Sequence, residues 1–352
     1  MKVMVEMGHP AHVHSFRHMI ATLEKQGHEV RICAWRKDIT LRLLGTFGLR
    51  YDELGSNTGS GLWRKLLLGG KGVSAMWYVA RDFKPDLFVS RLSPVSGMVS
   101  RLCGKPHVAF ADTDFSFLSN TVALPMTDVV ITPSCFREDL GRKQIRVNSY
   151  KELAYLHPHY FTPDPSVLLS EGLTPDTPFA VVRFVSWQAA HDVGQGGFSQ
   201  EGRVRLVREL AKCGRVLVSG EDGLDSEVRE YAFKAEPHLI HHFLYYASIC
   251  VTEGGTTASE AAVLGTPAVL MNTLIAGVQT ELEERYGLVF NFHDRRNEDA
   301  AIAWALQVMT QSSSNRKEWR AKAARLVQDN VDVTQFMVKI ILGLGADSLT
   351  EG

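Results

Sequence analysis

Short apolar runs alternating with amphipathic stretches recur in two series along this chain, and a proline-rich interval separates them. Lys2 to Met7 reads as a buried strand and Gly8 to His14 as a loop. From Ser15 a helix follows in which Phe16, Met19, Ile20 and Leu23 recur at i, i+3, i+4 and i+7. Gly27 stops that helix and Glu29 to Ala34 forms the next strand, which completes a βαβ unit with a right-handed crossover. Leu87 to Ser90, His107 to Ala111 and Val129 to Thr132 continue the series, each followed by turn residues. Between Leu156 and Pro178 the prolines 158, 163, 165, 175 and 178 suppress any periodicity, as a linker does. The rhythm restarts with Phe179 to Val185, Arg215 to Ser219, Ile249 to Thr252, Ala268 to Met271 and Leu288 to Phe290. The pattern predicts an α/β protein of two doubly wound Rossmann-like domains facing a central cleft, because such sheets bind ligands beyond the carboxyl ends of their strands. The expected domains are 1–160 and 161–335, with 336–352 a C-terminal helix that packs back on the first.

Composition narrows the function classes. With 352 residues and 45% apolar side chains the chain can bury a large core. Its 38 basic against 39 acidic residues leave a net charge of −1 and no global field for nucleic acid or an anionic membrane. Five scattered cysteines form no C-x-x-C pair, so they read as reduced thiols rather than a zinc or redox motif. Glu6 and the Gly-His-Pro turn interrupt the N-terminus too early for a signal peptide, and no apolar stretch approaches the roughly 18 residues of a membrane helix. A soluble cytoplasmic protein is expected.

The most informative segment is the strand Ile249 to Thr252, running through Glu253-Gly254-Gly255-Thr256-Thr257 into a helix Ala258 to Leu264. Glycines allow close backbone approach and positive φ, and the N–H groups at a helix start favour an anion, so a phosphate or diphosphate fits this turn. Neither the Walker pattern nor G-x-G-x-x-G is present, which argues against a P-loop NTPase or a dinucleotide fingerprint. Thr257 and Glu260 also read as a capping box, so Glu260 has two readings, cap and ligand contact.

The run HHFLYYASICVTEGGTTASEAAVLGTPAVL, His241 to Leu270, resembles the donor-nucleotide motif of GT-B glycosyltransferases. It is similar to the UDP-N-acetylglucosamine transferase of peptidoglycan synthesis and to the non-hydrolysing UDP-N-acetylglucosamine 2-epimerases. Through MGHPAHVHSF, YKELAYLHP and EGGTTASEAAVLGTP the whole chain resembles the family known as domain of unknown function 354, of GT-B-like architecture. The resemblance implies that Gly254, Gly255, Thr256 and Thr257, with Glu253 alongside, hold a nucleoside diphosphate, that Glu260 bonds ribose hydroxyls, and that Gln279 reads sugar hydroxyls.

His9, His12, His14 and His18 crowd the first strand-to-helix junction. The positive end of a helix dipole disfavours imidazolium and keeps a ring neutral, as a general base requires. His12-Val13 is similar to the position at which GT-B inverting enzymes place the base for the acceptor hydroxyl; His14 is the second candidate. Pro10-Ala11 replaces the glycines of the transferase pattern. An alternative is metal: His12-x-His14 after a first strand resembles the ligand pair of amidohydrolase barrels, although the linker and glycine turn favour two domains.

Asp112 and Asp114, after the His107 strand, can share acid/base work, or instead serve as turn and cap chemistry. Arg183, an interruption of an apolar strand, can clamp a diphosphate. Trp187, His191 and Asp192, before Gly194, Gly196 and Gly197, can close on the donor or form a plain solvent loop, and Glu221 can line its nucleoside side. The amphipathic segment Trp63 to Leu68 can touch a lipid-linked acceptor at a membrane surface. The leading expectation is a metal-independent transferase moving a sugar from a nucleotide-diphosphate sugar, a UDP-sugar, to an acceptor, with no cofactor and no nucleic-acid partner. A UDP-N-acetylglucosamine 2-epimerase-like enzyme and a non-catalytic nucleotide-sugar binding protein are the alternatives.

Overall fold

The computed structural model describes residues 1–37, 39–56, 62–112, 114, 121–186, 195–220 and 223–350, of which 62–68, 312–314 and 345–350 are described by backbone alone. The strands are β1 Lys2–Met7, β2 Glu29–Arg36, β3 Tyr51–Ser56, β4 Leu87–Ser90, β5 His107–Phe110, β6 Val129–Pro133, β7 Gln144–Val147, β8 Phe179–Phe184, β9 Arg215–Gly220, β10 Ile249–Thr252, β11 Ala268–Met271 and β12 Val289–Phe292. The α-helices are α1 Pro10–Lys25, α2 Thr40–Thr46, α3 Leu62–Phe83, α4 Pro94–Cys103, α5 Leu153–Leu156, α6 Gln200–Ala211, α7 Ile240–Tyr246, α8 Gly255–Val263, α9 Gly277–Glu284, α10 Glu298–Asp329 and α11 Val333–Thr350. Two compact units result, one of Met1–Tyr155 with Val331–Gly352 and one of Leu156–Asn330.

In the first unit seven parallel strands are ordered β3-β2-β1-β4-β5-β6-β7. The order reverses between β1 and β4, so the loops after these two strands diverge and open a crevice at their carboxyl ends. The inner strands are mostly apolar because helices cover both faces of the sheet; β4 and β5 are wholly buried. The edge strands β3 and β7 were not expected from sequence: each is mostly exposed or half-buried and carries no apolar run.

Helix α1 buries Phe16, Met19, Ile20 and Leu23, the stripe expected from spacing, but it begins earlier. Pro10 occupies its first turn, where a missing N–H costs nothing, and His9 caps it, Nδ1 accepting from the Ala11 N–H at 3.1 Å. The expected loop over Gly8 to His14 is thus corrected to the two residues Gly8 and His9. Glu6, buried on β1, accepts from the Trp35 indole at 2.7 Å and from the Ser96 N–H and hydroxyl at 3.2 and 2.5 Å, which satisfies the start of α4. Helix α11 packs on α1 and buries Met337, Val338 and Ile341.

The second unit holds five parallel strands ordered β12-β11-β10-β8-β9, reversing between β8 and β10. Val182, Phe184, Ile249, Val251 and Met271 form one face of its sheet, packed with Leu206 and Val207 of α6 and Ala305 of α10. Among the described residues no helix is long and apolar enough to cross a membrane.

Candidate functional site

The candidate residues lie beyond the carboxyl ends of the strands in each unit, those of the second unit at its reversal point. In the second unit β10 delivers Glu253, Gly254 and the start of α8 to the carboxyl edge of the sheet. Gly254 is the N-cap, at φ −100°, and as a glycine it brings no side chain to the cap. Its own N–H is held by the Thr252 hydroxyl at 3.0 Å. The expected start at Ala258 and the capping box of Thr257 with Glu260 are therefore corrected: both residues lie inside the helix, buried. Thr256 and Thr257 occupy its first turn, whose dipole and N–H groups create positive potential at the sheet edge.

Neither Gly254 nor Gly255 has positive φ, which corrects the expectation on that point. Space explains Gly255 instead, for a Cβ there would lie 2.9 Å from Gln279 Nε2. Gln279 donates to the Gly255 carbonyl at 3.0 Å and to the Ser259 hydroxyl at 2.9 Å, so its amide braces the first turn of α8 from α9. Glu260 meets His241 Nε2 through Oε1 at 2.9 Å; a carboxylate only accepts, so the ring nitrogen carries the proton.

Glu253 has no exposed surface. Its carboxylate accepts from the Val185 N–H at 3.1 Å, the Phe198 N–H at 2.9 Å and Arg203 at 2.9 and 2.5 Å. Burial raises its pKa while Arg203 and the two backbone donors lower it. Glu253 thus ties together both ends of the connection from β8 to α6. Arg183 lies on β8 in register with Thr252 of β10 and Ser219 of β9, on the sheet face opposite Val182 and Phe184. His191, Asp192 and Glu221 fall outside the described residues, as do Trp187 and Gly194; Gly196 is held by Thr273, which donates to its carbonyl and accepts its N–H.

In the first unit His12 occupies the first turn of α1, half-buried, and its Nδ1 accepts the Gly8 N–H at 3.1 Å. That bond fixes the ring orientation and assigns the proton of the neutral ring to Nε2. Burial first, then Arg91, His9, Lys151 and Lys37, hold its pKa well below 6.5. His14 is buried, its ring 5.7 Å from Phe47 and 5.3 Å from Tyr155. His18, half-buried beside Arg17, is held at about 4 by burial and by that cation.

The two aspartates serve different partners. Asp112 is ion-paired with Arg91 and with Lys151 Nζ at 2.5 Å, while Asp114 accepts the Arg137 N–H at 2.9 Å. A small, half-open pocket lies beside Asp112, lined by Ser15, Arg91 and Lys151 with Phe110 and Met337. Burial lowers the Arg91 pKa to about 10. Arg91 escaped the sequence reading although it follows β4 more directly than Asp112 follows β5. Lys151, Arg203 and His241 had no such positional signal, apart from His241 lying within the donor-like run. The backbone of Trp63 to Leu68 belongs to α3; its side chains lie outside the described set.

A family model described as "Protein of unknown function (DUF354)" matches residues 1–184. The uncharacterized protein MJ0665 of Methanocaldococcus jannaschii is 22% identical over 280 residues, covering 76% of this chain and 80% of that protein. Among solved structures, the UDP-GlcNAc 2-epimerase from Neisseria meningitidis bound to UDP-GlcNAc has a TM-score of 0.65 at 13% identity, with 100% of both chains covered. The spinosyn forosaminyltransferase SpnP has a TM-score of 0.68 at 16% identity, covering 98% of this chain and 99% of its own. At these identities the two structures share the fold: two Rossmann-like α/β domains of the GT-B kind.

Proposed function

The chain belongs to the family described as Protein of unknown function (DUF354), and from that premise we propose that it is an enzyme acting on a nucleoside-diphosphate sugar. The observation that carries this reading is the start of α8: a helix N-terminus with a glycine as its cap residue, at a Gly-Gly turn on the carboxyl edge of β10 and beside the reversal point of its sheet. Such a corner attracts a doubly charged diphosphate through N–H groups already aimed at it. The fold shared with a UDP-GlcNAc-bound epimerase and with a glycosyltransferase supports it further.

The finer reading is transfer from a UDP-sugar, held by residues 161–335, to an acceptor served by residues 1–160. Gly254 to Thr257 and Arg183 stabilise the departing diphosphate, Glu260 holds ribose and Gln279 keeps the turn in place. No divalent ion is needed in this reading, because helix dipole and guanidinium supply the positive charge. His12 receives a changed role. With Nδ1 occupied by the Gly8 N–H, the neutral ring offers Nε2–H, a donor to a ligand oxygen rather than a proton acceptor.

The test is turnover of UDP-GlcNAc and other UDP-sugars, alone and with an acceptor panel, with and without EDTA. Sugar transferred only when acceptor is present supports the transferase; epimerisation of UDP-GlcNAc alone establishes the alternative, and binding without any turnover establishes a non-catalytic binder. His12→Gln, which keeps a donor near Nε2, retains most activity, whereas His12→Ala loses about tenfold to a hundredfold, the worth of a hydrogen bond to a charged group. Equal loss in both variants removes the donor role.

A further inference from the structure

Glu260 is the residue on which ribose recognition depends in the proposed function, and its carboxylate does not stand alone. Its Oε1 meets Nε2 of His241, 2.9 Å away and 19 residues earlier in the chain. His241 is buried on α7, its ring edge-on to Phe161 at 6.3 Å between centroids, so it has little freedom to turn away. Glu260 is itself 8% exposed, on the second turn of α8. A carboxylate on a helix has several side-chain torsions, and a fixed donor on one oxygen selects among them.

We propose that His241 is a positioning residue for nucleotide recognition: by donating Nε2–H to Glu260 Oε1 it sets the plane in which Glu260 presents its carboxylate to the hydroxyls of a ribonucleoside diphosphate. The inference rests on the reading of the α8 corner as a nucleotide site. It goes beyond that reading by giving α7 a part in choosing ribose over deoxyribose. A bidentate contact with a diol needs both the correct oxygen spacing and the correct plane, so a carboxylate released from His241 still attracts hydroxyls but loses discrimination.

The experiment is titration calorimetry on the full chain with UDP, ADP, GDP and CDP, then with the 2′-deoxy analogue of the tightest. The readout is the ratio of the two dissociation constants, which a merely structural role of His241 leaves unchanged even where overall affinity falls. In the wild type the ratio is about tenfold, one hydrogen bond to a charged group. Glu260→Gln and His241→Phe bring it close to one, and His241→Gln, whose amide can still donate to Oε1, keeps most of it. His241→Asn, too short to reach, replaces the phenylalanine variant if that one fails to fold, with the same expected collapse. A ratio preserved in His241→Phe or His241→Asn overturns the positioning role while leaving the nucleotide site standing. A ratio preserved in Glu260→Gln overturns it by removing the ribose contact. Wild-type protein that binds none of the four diphosphates overturns the functional reading itself.

Discussion

His107 has no exposed surface and is bonded at both ring nitrogens: to the Ser90 hydroxyl at Nε2, 2.8 Å, and to the Thr127 hydroxyl at Nδ1, 3.1 Å. Thr127 spends its own proton on the Ala123 carbonyl, so Nδ1 is the donor and Nε2 the acceptor of Ser90. Burial holds the pKa at about 4, against 6.5 in an unfolded chain. A depressed folded pKa contributes stability that is present above pH 6.5 and lost as pH falls towards 4, here about 3 kcal/mol. His107→Gln, uncharged at every pH, is less stable than wild type at pH 7.5, and the gap narrows as pH falls to 4.5. Urea denaturation at the two pH values measures this, and a gap independent of pH contradicts the assignment. Nothing in the sequence marked His107 beyond its place at a strand start. Pro10 did carry a signal, proline at a first helical turn, which the reading of Gly8 to His14 as a loop passed over; the helix start there moves His12 and His14 from a loop onto a helix.

At the scale of elements, apolar runs made the inner strands legible, since a strand covered on both faces contains little else. Edge strands β3 and β7 escaped because they meet one neighbour each and expose half their side chains. The position of the glycine turn was legible and the reason for its glycines was not, because the crowding atoms come from distant elements. Gly255 faces Gln279 of α9, and Gly197, in the approach to α6, faces Glu253, whose partner Arg203 is 50 residues away in sequence. The two cases differ in consequence. A Cβ at Gly255 meets the end of one flexible amide, which can swing aside at the loss of two hydrogen bonds, about 1–3 kcal/mol. At Gly197 the Cβ would lie 2.5 Å from the carboxyl group of Glu253, which two backbone donors and Arg203 hold in place. Moving a buried carboxylate off its partners costs about 3–5 kcal/mol. Gly197→Ala is therefore the more damaging substitution by thermal unfolding, and the reverse order would show that the Glu253 clasp yields more readily than the Gln279 brace.

For the molecule as a whole, the chain leaves the first unit at residue 155 and returns to it at 331, so the first core is completed by its last helix. The return is tied by the Val331 N–H to the Asn148 carbonyl at 3.0 Å, by Ser149 to the Val331 carbonyl at 2.8 Å and by Thr334 to the Ala154 carbonyl at 3.0 Å. Met337 and Val333 of this segment line the pocket beside Asp112, and Ile341 is fully buried. Ile341→Ala then opens a cavity in the first unit and destabilises it by about 2–5 kcal/mol, although the change lies more than three hundred residues from β1. The second unit keeps its own core around Val182, Ile249, Val251 and Leu206. A nucleoside diphosphate at a hundred times its dissociation constant stabilises the native state it binds by about 2.7 kcal/mol. Hydrogen exchange separates the two effects by location. Ile341→Ala speeds exchange in residues 2–7 and 87–90 and leaves 249–263 unchanged, whereas the diphosphate slows exchange in 249–263 of both proteins. Ligand protection centred on 87–112 instead would move the nucleotide to the Arg91, Asp112 and Lys151 cluster and reverse the parts assigned to the two units.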